Sequence, residues 1–257
     1  MKPVLEVKDV QKRFGGLWAL KNISFMVGDA EVVGLIGPNG AGKTTCFNVV
    51  SGQLPPSSGE ISFDGQSIVG LRPNRIVRLG LSRTFQATSV FPAASVLENV
   101  IRGAITRMNV SFLGSLLPTP GSAEAMERAR ERCMQLLHQV GIAHVHDHLA
   151  GALPYGYQRR LGVAIALASE PKVIMMDEPA AGLNPEESAA MGRLIRQIHE
   201  SGQASVLIVE HDMRLVMGIC DRIIVLDHGE QIAAGKPDEI KSNPQVIEAY
   251  LGAEAVH

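Results

Sequence analysis

Short apolar runs alternate with stretches of helical spacing along this chain. Val32–Ile36, Val173–Met176, Ala204–Val209 and Arg222–Leu226 are runs of four to six residues without alternation. Continuous apolarity over that length predicts strands buried on both faces, as in a parallel sheet. Leu5–Lys8, Ile23–Val27 and Glu60–Phe63 alternate instead, which predicts half-exposed antiparallel strands. Gly28-Asp29 and Asp64-Gly65 mark turns. From about Leu97 to Leu167 the spacing is helical. Met126, Ala129, Cys133, Leu136, Leu137 and Val140 recur at three- and four-residue steps and form one apolar stripe. The pairs Glu127–Arg130 and Arg128–Glu131 lie on its other face. Leu116–Ser122, broken by Pro and Gly, is the best linker candidate, and there is no internal repeat or low-complexity tract. The expected fold class is α/β: a parallel core interrupted by a helical insertion.

Composition narrows this picture. With 257 residues the chain can bury a core that needs neither disulfide nor metal support. Lys and Arg number 24 against 26 Asp and Glu, a net charge of −2, so there is no electrostatic footprint for a nucleic-acid backbone. Hydrophobic residues make up 46% but aromatics only 4%, so the core is expected to be mostly Val, Ile, Leu, Ala and Met. Mean hydropathy is +0.11, yet no apolar run reaches the roughly 18–20 residues of a spanning helix. Residues 1–6 lack the apolar stretch of a secretory signal. Cys46, Cys133 and Cys220 are odd in number and widely spaced, the pattern of reduced thiols in a cytosolic setting.

Gly37-Pro38-Asn39-Gly40-Ala41-Gly42-Lys43-Thr44 matches G-x-x-x-x-G-K-[ST] in full, after an apolar strand and before the helical stretch Thr44–Val50. The glycines let backbone N–H groups converge on a phosphate, and the helix N-terminus adds positive potential. Lys43 is expected to neutralise the β/γ oxygens, and the Thr44 hydroxyl to ligate Mg²⁺. The buried strand Val173–Met176 ends in Asp177-Glu178. In P-loop enzymes such an Asp completes the Mg²⁺ shell, and a carboxylate one residue on can deprotonate an attacking water. No N-K-x-D guanine-reading sequence occurs, which argues against GTPases. His211 follows the strand Ala204–Val209, so a parallel sheet places it at the same carboxyl edge as Asp177 and Glu178. Gly156 lies at the start of a helix read over Gln158–Ala168, where a backbone N–H suits an anion.

With these motifs in order, nearly the whole chain resembles the ATP-binding subunits of ABC transporters. The resemblance implies a P-loop NTPase with a RecA-like parallel-sheet core, an N-terminal antiparallel β subdomain and an inserted helical subdomain at about 88–168. It implies one ATPase domain over 1–257, ending in a family-specific tail at 229–257, with ATP and Mg²⁺ as cofactors. By that resemblance Phe14 stacks on adenine, and residues 37–42 with Lys43, Thr44 and Thr45 hold the phosphates. Gln86, closing Arg83-Thr84-Phe85-Gln86, is implied as a Mg²⁺ or water ligand that also senses the membrane partner. Leu153-Pro154-Tyr155-Gly156-Tyr157-Gln158 takes the place of the signature motif, whose Pro154, Tyr155, Gly156 and Gln158 would meet ATP bound to the opposite subunit. Ala180–Asn184 falls at the D-loop, and His211 is the switch histidine. The implied metal set is Thr44, Gln86 and Asp177; the implied catalytic set is Lys43, Gln86, Glu178 and His211.

Two departures stand out. The usual signature L-S-G-G-Q has Pro154 and Tyr155 in place of its Ser and first Gly, which removes a serine hydroxyl from the γ-phosphate. The frequent D-loop Asp is Asn184. Hydrolysis is still expected, because Lys43, Asp177, Glu178 and His211 are all present.

Pro179–Pro185, Glu210–Met213, Tyr155-Gly156 with Gln158–Leu161, and Glu248–Gly252 resemble the branched-chain amino acid importer group. The insertion Phe112–Val140 is more similar to its LivG-type subunits than to the shorter LivF-type. That resemblance implies a LivF-type second ATPase or a second copy of this chain, two transmembrane permease subunits and, indirectly, a periplasmic solute-binding protein. It places the chain at the cytoplasmic face of the inner membrane, with no nucleic acid as partner. The apolar excess would then serve partner surfaces. Lipopolysaccharide export is the alternative system, and a non-hydrolysing regulatory subunit the alternative role. An ATPase acting on ribosomes or DNA is opposed by the absence of a second ATPase module. His144-Val145-His146-Asp147-His148, taken as extended, puts three imidazoles on one face, but a solvated loop is the expected reading over zinc. Arg159-Arg160 is read as surface or interface contacts, and Met175, Met176, Met213 and Met217 as packing.

Overall fold

The computed structural model describes residues 3–84, 90–105 and 120–254, without the side chains of 120–125 and 252–254. Its contacts divide into two compact units, Met1–Arg83 with Lys172–His257, and Thr84–Pro171.

The first unit opens with β1 (Pro3–Phe14) and β2 (Leu17–Gly28), then β3 (Val32–Ile36), α1 (Lys43–Val50), β4 (Ser58–Phe63), β5 (Gln66–Ser67), α2 (Pro73–Leu79) and β6 (Leu81–Arg83). β1 and β2 are far longer than the alternating runs that announced them. Their outer halves do not alternate cleanly: Val10 and Leu20 are buried but Leu17 and Trp18 are exposed, and Asp9 and Asn22 break the register in left-handed conformations at φ 48° and 53°. The antiparallel sheet has the order β2-β1-β4-β5.

The second unit holds α3 (Val96–Ile105), α4 (Pro120–Gln139) and α5 (Tyr155–Ala168), with 3₁₀ turns at Ala143–Val145 and Ala150–Ala152. The helical middle of the chain is therefore interrupted after Gln139. α3 approaches α5 so closely that a Cβ at Gly103 would lie 2.5 Å from the Ile165 carbonyl oxygen. Buried Asn99 on α3 accepts from Phe91 N and donates to the Ser95 carbonyl. Cys133, Leu136 and Leu137 of α4, with Val140 just beyond its end, form the expected buried stripe, but Met126 is exposed. The linker read at Leu116–Ser122 is corrected in part: Pro120 starts α4, a position where its fixed φ suits a helix, and residues 116–119 lie outside the described chain.

The chain returns to the first unit with β7 (Val173–Asp177), α6 (Pro185–Glu200), β8 (Ser205–Val209), α7 (Met213–Ile219), β9 (Arg222–Asp227), β10 (Glu230–Gly235), α8 (Pro237–Lys241) and α9 (Pro244–Glu254). The second sheet has the order β10-β9-β3-β8-β7-β6, parallel from β9 to β6 with β10 antiparallel at the edge. Every residue of β3, β7 and β8 is buried, which is what their unbroken apolar runs require. Among the described aromatics Phe25, Phe47 and Phe63 join this core; aliphatic side chains with Cys46 and Met175 fill the rest. All three cysteines are buried free thiols, and burial pushes Cys46 and Cys220 up to about 12. Among the described residues no helix is long and apolar enough to cross a membrane.

Candidate nucleotide site

Parallel pairing brings three strand ends to one edge. Leu35 of β3 pairs with Val209 of β8, which pairs in turn with Asp177 of β7. The residues that follow each strand therefore emerge side by side: the P-loop after β3, Glu178 after β7, Glu210 and His211 after β8. Ligands of open α/β sheets bind at this carboxyl edge.

The P-loop is held by backbone geometry. Gly37, Gly40 and Gly42 have φ of 150°, 81° and 100°. Ala41 N donates to the Pro38 carbonyl at 3.2 Å, and Gly229 N donates to the Ala41 carbonyl at 3.0 Å. A Cβ at Gly37 would sit 2.0 Å from the Leu226 carbonyl oxygen, and one at Gly42 2.7 Å from that of Ala19. Gly37→Ala is accordingly expected to cost about 3 kcal/mol or more, since the Leu226 backbone cannot give way as a flexible side chain would. Thermal unfolding without nucleotide measures it. Asn39, Gly40 and Thr44 are exposed, and Pro38 and Thr45 half-buried. α9 carries Tyr250, whose buried hydroxyl has its pKa raised by burial and held back by the Gly37 backbone.

Lys43 is 8% exposed, and its Nζ donates to the Gly37 carbonyl at 2.7 Å and the Pro38 carbonyl at 2.9 Å. Burial lowers its pKa, and the Glu178 charge works against that shift. Glu178 has φ 47°, a left-handed conformation that costs a non-glycine residue about 1–3 kcal/mol. Its N–H donates to the Val209 carbonyl at 2.8 Å, so the turn is tied to β8 while the carboxylate faces solvent. His211 Nδ1 stands 3.8 Å from Glu178 Oε1. Glu210 is the buried support beneath them, accepting from Ala180 N at 2.8 Å and His211 N at 3.2 Å. Burial raises its pKa, and those backbone donors oppose the rise. Asp177 is 6% exposed and accepts from Arg83 Nη2 at 3.0 Å.

Asn184 is the N-cap of α6. Its Oδ1 accepts from Glu187 N at 2.9 Å, and Glu187 Oε2 accepts from Asn184 N at 3.1 Å, a reciprocal box that Asn makes as well as Asp. Phe14, at the end of β1, is 46% exposed with Lys12 Nζ 5.1 Å from its ring centroid.

In the second unit Pro154 is the N-cap of α5, whose first residue, Tyr155, comes three residues earlier than the helix start read from the sequence. Tyr155 and Gly156 occupy the first turn, where backbone N–H groups have no carbonyl four residues back. Gln158 Nε2 donates to the Leu153 carbonyl at 2.9 Å, bracing the loop. Arg159 stacks on Tyr155, 4.9 Å from its centroid, and donates to its hydroxyl. Gln86 lies outside the described residues. The His144–His148 segment is not extended: a 3₁₀ turn separates its imidazoles, and His144 packs edge-on against Tyr157. Among the described residues no group of three His, Cys, Asp or Glu could hold a metal ion.

Sequence reasoning assigned no role to Arg83 or Glu210. Each acts through a partner distant in sequence, and the only local signal was a basic or acidic residue at a strand end.

The site thus joins a P-loop to a strand-end carboxylate pair and a facing histidine. Residues 20–181 match the ABC transporter family, and residues 230–256 match the branched-chain amino acid ATP-binding cassette transporter family. The chain belongs to the ABC transporter ATP-binding family. It is 41% identical over 251 residues to the high-affinity branched-chain amino acid transport ATP-binding protein BraF of Pseudomonas aeruginosa, covering 98% of each chain. Identity to LivG of Escherichia coli K12, a protein of the same description, is also 41% over 251 residues, with 98% of each covered. A crystal structure of an ATP-binding cassette of an ABC transporter in its ADP conformation superposes with a TM-score of 0.84 at 30% identity, covering 98% of this chain and all of that one. As an ABC ATPase the chain has the nucleotide-binding fold its motifs announced.

Proposed function

We propose that this chain is the ATP-hydrolysing subunit of an importer for branched-chain amino acids. The observation that carries the substrate class is the match of residues 230–256, and it favours import over the lipopolysaccharide-export alternative. The same reading gives one ATPase domain, the helical insertion within it, docked at the cytoplasmic face of the inner membrane. Its partners are a LivF-type ATPase or a second copy of itself, two permease subunits and, through them, a periplasmic solute-binding protein.

The chemistry follows from the residues at the sheet edge. The P-loop N–H groups and Lys43 grip the phosphates, with Phe14 offering its exposed ring to adenine and Thr45 supporting the loop. Glu178 accepts the proton of the attacking water, and the nearby His211 imidazole orients that water or the γ-phosphate. The oxygen donors available, the exposed Thr44 hydroxyl and the Asp177 carboxylate, fit a hard cation held by one or two side chains and by phosphates. Mg²⁺ bound there would neutralise the β/γ oxygens. Gln86 completes this set as a metal or water ligand. Pro154, Tyr155, Gly156 and Gln158 face ATP on the partner subunit, where the α5 N-terminus replaces the missing serine hydroxyl.

The test is reconstitution in proteoliposomes with the second ATPase, both permeases and binding protein. Leucine-loaded binding protein is expected to raise ATP turnover several-fold above the basal rate. Turnover no higher than a Glu178→Gln control would make the chain a non-hydrolysing subunit. Turnover indifferent to leucine, isoleucine and valine would remove the substrate class.

A further inference from the structure

Arg83 ends β6, three residues before Gln86, and has no part in the chemistry so far. Its Nη2 donates to Asp177 Oδ2 at 3.0 Å, while Nη1 donates to Asn48 Oδ1 at 2.7 Å and Ser51 Oγ at 3.3 Å. The guanidinium carbon lies 4.5 Å from the centroid of the Phe47 ring. Phe47 and Asn48 belong to α1, and Ser51 is its C-cap. One planar cation therefore ties the end of β7 to the helix that the P-loop opens. Asp177 is buried and Arg83 largely so, with side chains 6% and 13% exposed.

A pair with that burial adds little to stability over an apolar pair of similar volume. Its geometry serves position instead. A carboxylate at a strand end can rotate about two side-chain bonds, and a guanidinium fork on one of its oxygens removes much of that freedom. The other nitrogen of the fork is anchored on α1, one turn from Thr44. The two oxygens proposed to meet Mg²⁺, on Thr44 and Asp177, are thus referred to one rigid group.

We propose that Arg83 is a positioning residue for the metal–nucleotide site, holding Asp177 in register with α1 so that Mg²⁺ arriving with ATP meets both oxygens at a set separation. The proposal rests on the reading of Asp177 and Thr44 as Mg²⁺ ligands. Lysine does not replace arginine here, because a single ammonium cannot span Asp177 and the pair Asn48 and Ser51.

The experiment is calorimetric titration of the full chain with a non-hydrolysable ATP analogue, once in Mg²⁺ and once in EDTA. The ratio of the two affinities is the coupling between metal and nucleotide. Loss of a group that orients a metal ligand costs about 10- to 100-fold in metal affinity, so Arg83→Gln is expected to lower the ratio by that factor. Its affinity in EDTA is expected to stay within about twofold of the parent, because the phosphate grip of Lys43 and the loop is untouched. Asp177→Asn is expected to lose most of the Mg²⁺ gain. A parental ratio in Arg83→Gln beside a lost ratio in Asp177→Asn overturns the proposal and leaves the metal reading standing. A parental ratio in Asp177→Asn overturns both. Should Arg83→Gln fail to fold by thermal melting, Arg83→Lys decides: a ratio lowered about tenfold supports the proposal, and a parental ratio overturns it.

Discussion

Glu178→Gln is expected to slow ATP turnover by about 10²- to 10⁴-fold, the usual contribution of a positioned general base, and to leave ATP binding in place. The amide keeps the size and hydrogen-bonding reach of the carboxylate but cannot take a proton. The backbone tie that sets the left-handed turn, Glu178 N to the Val209 carbonyl, does not involve the side chain, so the turn survives the change. The burial that lowers the Lys43 pKa is opposed by the Glu178 charge, and losing that charge also makes the site more attractive to a polyanion. Nucleotide affinity should therefore hold or rise while turnover falls. Phosphate release under saturating ATP, with affinity read by calorimetry, separates the two. A variant that kept parental turnover would move the base elsewhere on this edge.

Lys43→Ala acts on the opposite quantity. Lys43 is 8% exposed and its Nζ already held by two loop carbonyls, so the ammonium is fixed before any phosphate arrives. Removing one partner of a buried charge pair costs about 2–4 kcal/mol, which is roughly 30- to 1,000-fold in ATP affinity. The change also strips the Gly37 and Pro38 carbonyls of their donor, and a lower melting temperature should accompany the lost affinity. The effect should appear in EDTA as well as in Mg²⁺, unlike that of Arg83→Gln. Comparable ATP affinity in the variant would mean that backbone N–H groups alone hold the phosphates.

The parts of the fold that could be read from the chain were those whose signal is local. Five consecutive apolar residues in β3, a glycine-rich loop and a helical stretch are contiguous, and the structure keeps that order. The sequence reads β1 and β2 at less than half their length, because exposed Leu17 and Trp18 and the register breaks at Asp9 and Asn22 interrupt the apolar alternation. The α5 start was read late, since Pro154, Tyr155 and Gly156 look like loop residues until Pro154 is seen capping the helix. The three histidines at 144–148 share a face only on an extended segment, and a 3₁₀ turn removes that geometry. Asn184 departs from the frequent Asp of its motif, but it caps α6 with the same reciprocal bonds an Asp would make.

By itself the sequence determined the phosphate loop, the strands buried on both faces and the chemical types of the site, because each depends on neighbours within about ten residues. Only the tertiary structure decided which of those residues work together. The β3–β8–β7 register sets Glu178 and His211 at one edge, and the left-handed turn at Glu178 aims its carboxylate there. Arg83 reaches Asp177 across 94 residues of chain, and Glu210 supports Ala180 across 30. Such pairings carry no periodicity and no motif; they exist only once sheet register and burial have made a partner obligatory for each charged group.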